Sequence, residues 1–275
     1  MNIAARGLVV VAFGLSFGST AMAFNGTYTA GSGIDGTVHD LATAHDDMSY
    51  EASPADDLNR KCIFCHAPHN TMRLSPANGG PGVGSGTQAP DDFDYLQLWN
   101  HELTDNAGSY TMYQNGPGAP TVGAKASQAI PNTMTPGGSS LLCLSCHDGS
   151  VAVNSYGNPS QPDASQSSGG ATIDPAYQIG KDNYLGNHHP ICFNYDDVQS
   201  IYTEIRAADT AQLGSAGTVR DHLLGAGNTQ MECGTCHAVH NTGNTGESLL
   251  WRSDEESRLC LTCHAKGTDP GSTVP

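Results

Sequence analysis

The run KCIFCHAPHN, residues 61–70, sets Cys62, Cys65, His66 and His69 within one short stretch. Its first part, C-x-x-C-H, returns three times: Cys143-Leu-Ser-Cys146-His147, Cys233-Gly-Thr-Cys236-His237 and Cys260-Leu-Thr-Cys263-His264. Eight of the nine cysteines lie in these pentads. Two thiols three positions apart stand about one helical turn from each other, close enough to reach neighbouring edges of one flat macrocycle, and the next residue then falls beneath its centre.

That arrangement is the attachment site of a c-type haem. Cys62, Cys65, Cys143, Cys146, Cys233, Cys236, Cys260 and Cys263 are expected to hold four haem c groups through thioethers, with His66, His147, His237 and His264 giving a nitrogen to each iron. Other chemistries fit less well. Tetrahedral zinc has no use for a histidine after every cysteine pair. A thioredoxin-like centre needs a single C-x-x-C beside a βαβ pattern, and a disulfide framework would not repeat one identical pentad.

A haem with one protein ligand is open to small molecules, whereas one with two is closed and passes electrons. The other eight histidines therefore choose the function. His69 and His240 both occupy C-H-x-x-H, in CHAPHN and CHAVHN. A residue three places along a helical turn points the same way as its neighbour, so His69 cannot easily reach round the haem held by His66. It is expected to ligate a different iron, a hydrogen bond to a propionate or backbone carbonyl being the competing role. In GNHHPICFNY, Pro190 favours extended backbone before it and presents His189 or His188. His39 in TVHDL precedes the first pentad as His222 in TVRDHLL precedes the third. The expected distal ligands are His39, His69, His189 and His240, with His101, His222, His188 and His45 as alternates. Methionines stand in no recurring relation to the pentads.

The first 23 residues read as a signal peptide: Arg6, then an apolar run from Leu8 to Phe17, then Ala21-Met22-Ala23. The apolar core is about half of the roughly 20 residues a spanning helix needs, so no stable membrane span is expected. The remainder, 24–275, is expected to form one tetrahaem domain, secreted to the cell surface or beyond, otherwise periplasmic. Only 37% of the chain is hydrophobic and 33 positions are glycine, too little apolar surface to offset the entropy of ordering the chain. Four apolar macrocycles are expected to fill the interior, and the haem-free chain is not expected to fold. The formal charge of −16 argues against nucleic acid as a partner.

An internal repeat runs through the chain. CHAPHN followed by LLCLSCH parallels CHAVHN followed by RLCLTCH, with LQLWN and SLLWR between. One half spans about 35–150 and carries haems 1 and 2; the other spans about 218–266 and carries haems 3 and 4, a polar linker and the NHHP segment joining them. Glycine-rich runs such as GGPGVGSG lengthen the first interval into surface loop. YDDVQSIYTEIRAADTAQL is the clearest helix candidate, and short helical turns are expected at the pentads. The fold class expected is mostly coil with short α-helices and little β, organised around a stacked chain of four haems. Cys192, outside the pentads, is expected to be a small buried side chain, with an intermolecular disulfide as the other use.

Through CIFCHAPHN, LWNHE, LLCLSCHDGSVA, NHHPI, CGTCHAVHN and LCLTCH, the chain resembles the multihaem c-type cytochromes with paired CXXCH motifs, most closely the tetrahaem OmcE-type subunits of extracellular cytochrome filaments. The resemblance implies bis-histidine ligation, stacked haems, a homopolymeric filament, and donation of His69 to a haem of the adjacent subunit. It implies an electron carrier rather than an enzyme, with redox proteins or extracellular acceptors as partners. A soluble periplasmic tetrahaem shuttle and a multihaem reductase with one open haem are the alternatives.

Overall fold

The computed structural model describes residues 29–41, 60–67, 98–101, 103–104, 106, 110–112, 133–134, 138–156, 172–244 and 247–268. The leader, the glycine-rich runs between the first two pentads, the polar linker after Tyr156, and His45 and His69 lie outside them.

Regular structure is short. In chain order the elements are β1 (Tyr110–Thr111), β2 (Thr133–Met134), α1 (Gly138–His147), β3 (Phe193–Asn194), α2 (Tyr195–Ile201), α3 (Val219–His222), β4 (Gln230–Met231), α4 (Cys233–Cys236) and α5 (Arg258–Cys263). The strands pair as two antiparallel ladders, Tyr110 opposite Met134 and Phe193 opposite Met231. Three single-turn 3-10 helices, at Lys181–Asn183, Gly214–Ala216 and Glu255–Ser257, with turns and coil make up the rest of the described chain, and no described helix is long and apolar enough to cross a membrane.

Among the described residues the apolar side chains gather into four small clusters instead of one core. The largest packs Phe193, Tyr195, Val198, Leu213, Val219, Leu223 and Met231 around α2, α3 and the second ladder. Three others form around Phe64 and Tyr156, around Trp99 and Leu103, and around Tyr110, Leu144 and Leu185. Each of the three borders a pentad: Phe64 lies within the first, Leu144 within the second, and Cys65 packs against the Trp99 group.

α1 is the longest described helix because its sequence supplies Leu141 and Leu144 to the interior, together with Ser145, whose hydroxyl donates to the Leu141 carbonyl at 2.9 Å. It starts at Gly138, whose φ is +59° and whose missing Cβ leaves room for the Glu232 carboxylate, 3.0 Å from where that atom would stand. Glu232 is buried and accepts from the Ser140 hydroxyl and, at 3.3 Å, from the Ser140 amide. This single carboxylate joins the start of α1 to the start of α4, and so the second pentad to the third.

The helix expected over YDDVQSIYTEIRAADTAQL ends after seven residues, at Ile201. Tyr202 turns extended, φ −116° and ψ 107°, because Glu204, Ile205 and Arg206 are drawn into a β-bridge beside His264. Competition from a tertiary pairing outweighs local helix propensity here. What remains of α2 is well started: the Asn194 side chain accepts from the amides of Asp196 and Asp197, and Arg220 grips Asp196 through both terminal nitrogens at 3.0 and 2.8 Å. Asn194→Ala is expected to lower stability by about 1 kcal/mol, read as an earlier midpoint in urea denaturation of the haem-loaded protein.

Candidate haem-binding site

Each pentad is built as one helical turn. The histidine amide donates to the carbonyl of the first cysteine, His66 to Cys62 at 2.7 Å, His237 to Cys233 at 3.1 Å and His264 to Cys260 at 3.0 Å, while His147 closes α1. With the turn shut, both cysteines and the histidine project from one short arc.

A second device pins three of these histidines from behind. His66, His237 and His264 each form an isolated antiparallel bridge, with Trp99, Leu250 and Ile205. The hydrogen bonds are equivalent: Asn100 N to Cys65 O at 2.8 Å and Ala67 N to Leu98 O at 2.9 Å; Trp251 N to Cys236 O at 3.0 Å and Ala238 N to Leu249 O at 3.0 Å; Arg206 N to Cys263 O at 2.8 Å and Ala265 N to Glu204 O at 2.7 Å. Leu98 and Leu249 both enter their bridge at positive φ, 73° and 62°. The halves thus repeat in structure with Leu98 matching Leu249 and Asn100 matching Trp251, one residue out of step with the tryptophan-on-tryptophan alignment the sequence invites. The tryptophans consequently differ in role. Trp251 donates to the Gly234 carbonyl at 2.9 Å and packs against His222 with ring centroids 4.3 Å apart and planes tilted by 46°, whereas Trp99 lies 6.2 Å from His66 and 6.3 Å from His101. His147 is held differently, its carbonyl accepting from Ile179 N at 2.7 Å.

Three pentad histidines face a second histidine. The ring centroids stand 6.1 Å apart for His39 and His147, 6.0 Å for His66 and His240, and 6.4 Å for His189 and His264. Two imidazoles on opposite sides of one metal, each at a metal–nitrogen distance of about 2 Å, have centroids about 6–6.5 Å apart, so these separations fit a haem iron between them. The nitrogens fit as well. Nδ1 of His39 and of His147 is buried with no hydrogen-bond partner. Burial pushes His147 down to about 4, with the nearby His39 and His237 adding to the effect, and burial is also the main cause of the lowered value at His39; both rings are therefore uncharged at neutral pH, as a ligand must be. His189 hydrogen-bonds the Pro190 carbonyl through Nδ1 at 2.8 Å, which, with the proton on Nδ1, leaves Nε2 for a metal.

The alternates are engaged elsewhere or stand apart. The Nε2 of His101 lies 3.1 Å from the Ala152 carbonyl and 3.4 Å from Cys146 Sγ, and His222 Nε2 lies 2.8 Å from the Ala216 carbonyl. His188 has no ring contact with a pentad histidine among the described residues, and neither does His237 have a facing ring there. His45 and His69 lie outside the described residues.

The pentad cysteines cluster in chain order. Cys143 and Cys233 share a hydrogen bond that, with burial, holds Cys143 well above its usual range and lowers Cys233. Cys65 interacts electrostatically with Cys143 and Cys146, and Cys236 with Cys260 and Cys263. Successive attachment points are thus neighbours from the first pentad to the fourth. Among the described residues no three His, Cys, Asp or Glu side chains converge as a metal cage. Cys192 is half-buried at φ 57°, its thiol donating to Glu232 at 3.2 Å, and burial raises its pKa strongly. Sequence reasoning missed Glu232, and it missed Asn241, although an asparagine closes both CHAPHN and CHAVHN.

Residues 226–269, which hold the third and fourth pentads, match a family model described as the doubled CXXCH motif. Among curated proteins none matches the chain. The motifs indicate covalent haem c, and the match supports a multihaem c-type cytochrome whose haem-binding serves electron transfer.

Proposed function

We propose that the protein is a secreted tetrahaem electron carrier with bis-histidine ligation, and that it works as the subunit of an extracellular cytochrome filament delivering electrons to external acceptors. The observation that carries the ligation is the set of three histidine pairs at iron-spanning separation. His39 with His147, His66 with His240, and His264 with His189 then close haems 2, 1 and 4. When bound, each haem supplies an iron that cycles between ferric and ferrous. The chain's own part is to fix the imidazoles on both faces, exclude small molecules from the metal and keep neighbouring attachment turns together. No side chain is assigned bond-making chemistry.

The filament rests on the remaining donor. His237 has no facing ring among the described residues, and His69 is the expected ligand not yet matched to an iron. Its donation to haem 3 of the next subunit would make the joint a coordination bond, and a head-to-tail contact of this kind propagates unless its rotation closes a ring. His69→Ala is expected to leave four attached haems while abolishing polymers in electron micrographs of the secreted protein and opening one haem per subunit. A monodisperse wild-type monomer with four closed haems would instead identify a periplasmic shuttle.

A further inference from the structure

We infer that Asn241 is a positioning residue for axial ligands of three different haems at once, an inference that rests on the bis-histidine reading above. Asn241 is fully buried, and its side chain is spent on three segments. Nδ2 donates to the carbonyls of Thr29 at 2.9 Å and Gly33 at 3.0 Å. Oδ1 accepts from the Leu249 amide at 3.0 Å and from Asn244 Nδ2 at 2.9 Å. The Asn241 carbonyl accepts from Gly33 N at 2.9 Å, and Asn244 Oδ1 accepts from Gly31 N at 3.2 Å.

Each segment leads to a ligand. Asn241 follows His240, which faces His66, and its own φ of 49° sets the turn that ends CHAVHN. Residues 29–33 begin the strap that carries His39 to His147. At its far end the strap is held by Asp40, which accepts from Gly36 N at 2.9 Å and from Lys61 at 2.8 Å. Leu249 enters the bridge that pins His237. Asparagine tolerates the left-handed backbone and is among the few side chains with two donors and an acceptor on one planar group. Aspartate keeps the shape and the backbone preference but would turn an oxygen on the Thr29 and Gly33 carbonyls, replacing two bonds by repulsion.

The test compares Asn241→Asp and Asn244→Ala with the unaltered secreted protein and with Asn228→Asp, an exposed asparagine at φ 50°. Intact mass counts haems, and carbon monoxide added to the dithionite-reduced protein reports open irons. Asn241→Asp is expected to retain four haems, to show a CO-shifted Soret band absent from the unaltered protein, and to lose low-spin ferric EPR intensity. Asn244→Ala should show the same change more weakly, and Asn228→Asp none. If Asn241→Asp fails to accumulate with haem, Asn244→Ala decides. Four haems with no CO response in either variant overturns the positioning role while leaving the ligand pairs standing. Fewer than four haems or CO binding in the unaltered protein fells the functional reading, and this inference with it.

Discussion

Replacing the eight pentad cysteines by serine is expected to abolish the folded state altogether: no cooperative urea transition, far-ultraviolet circular dichroism of a coil, and backbone amides exchanging without protection. The expectation follows from how the apolar side chains are distributed. Burying an aliphatic or aromatic side chain contributes about 1.5–3 kcal/mol, and ordering a residue costs about 1–2 kcal/mol of backbone entropy alone. The largest cluster contains nine buried residues and the second four. Helices of four to ten residues are too short to persist without packing. All four clusters found among the described residues abut attachment turns, where a bound haem would supply the surface they lack. A sigmoidal transition in the serine variant would show that the polypeptide carries its own core.

How much of this was readable beforehand depends on range. The pentads are legible because their constraint is local: one turn, closed by a bond from His66 to Cys62 or from His264 to Cys260. Which ring faces which is not local. His39 meets His147 and His240 meets His66 across long stretches of chain, and spacing says nothing about such pairings. The same limit explains the helix beyond Ile201, where Ile205 is recruited by His264, and the repeat, whose tryptophans align in sequence while the bridges align Leu98 with Leu249. Asn241 carried a faint signal in the two copies of C-H-x-x-H-N, but its partners at Thr29 and Gly33 could only come from the folded chain.

His39→Ala should convert one haem of the four from closed to open with the others unchanged. His39 sits on a strap fixed at both ends, by Asn241 and Asn244 near residues 29–33 and by Lys61 through Asp40, so its removal leaves the strap in place and takes away only the imidazole. His147 remains pinned at the end of α1 by Ile179, and burial keeps its ring neutral. The iron it holds then lacks a strong-field ligand on one face, turns high-spin and binds carbon monoxide. The expected readings are one CO per protein by titration of the reduced form, a high-spin ferric signal beside a low-spin signal lowered by about a quarter, and full haem content by mass. His222→Ala supplies the contrast. His222 Nε2 is already engaged by the Ala216 carbonyl, so its loss should leave every haem low-spin. His101 is the residue placed to compete, with Nε2 3.4 Å from Cys146 Sγ, but its ring is buried against the Ala152 carbonyl and Trp99 and would have to surrender those contacts to reach the metal. An unaltered low-spin spectrum in His39→Ala that becomes high-spin only when His101 is also removed would show that this exchange takes place. An unaltered spectrum in both would remove His39 from the ligand set and leave the 6.1 Å pairing with His147 without a metal to explain it.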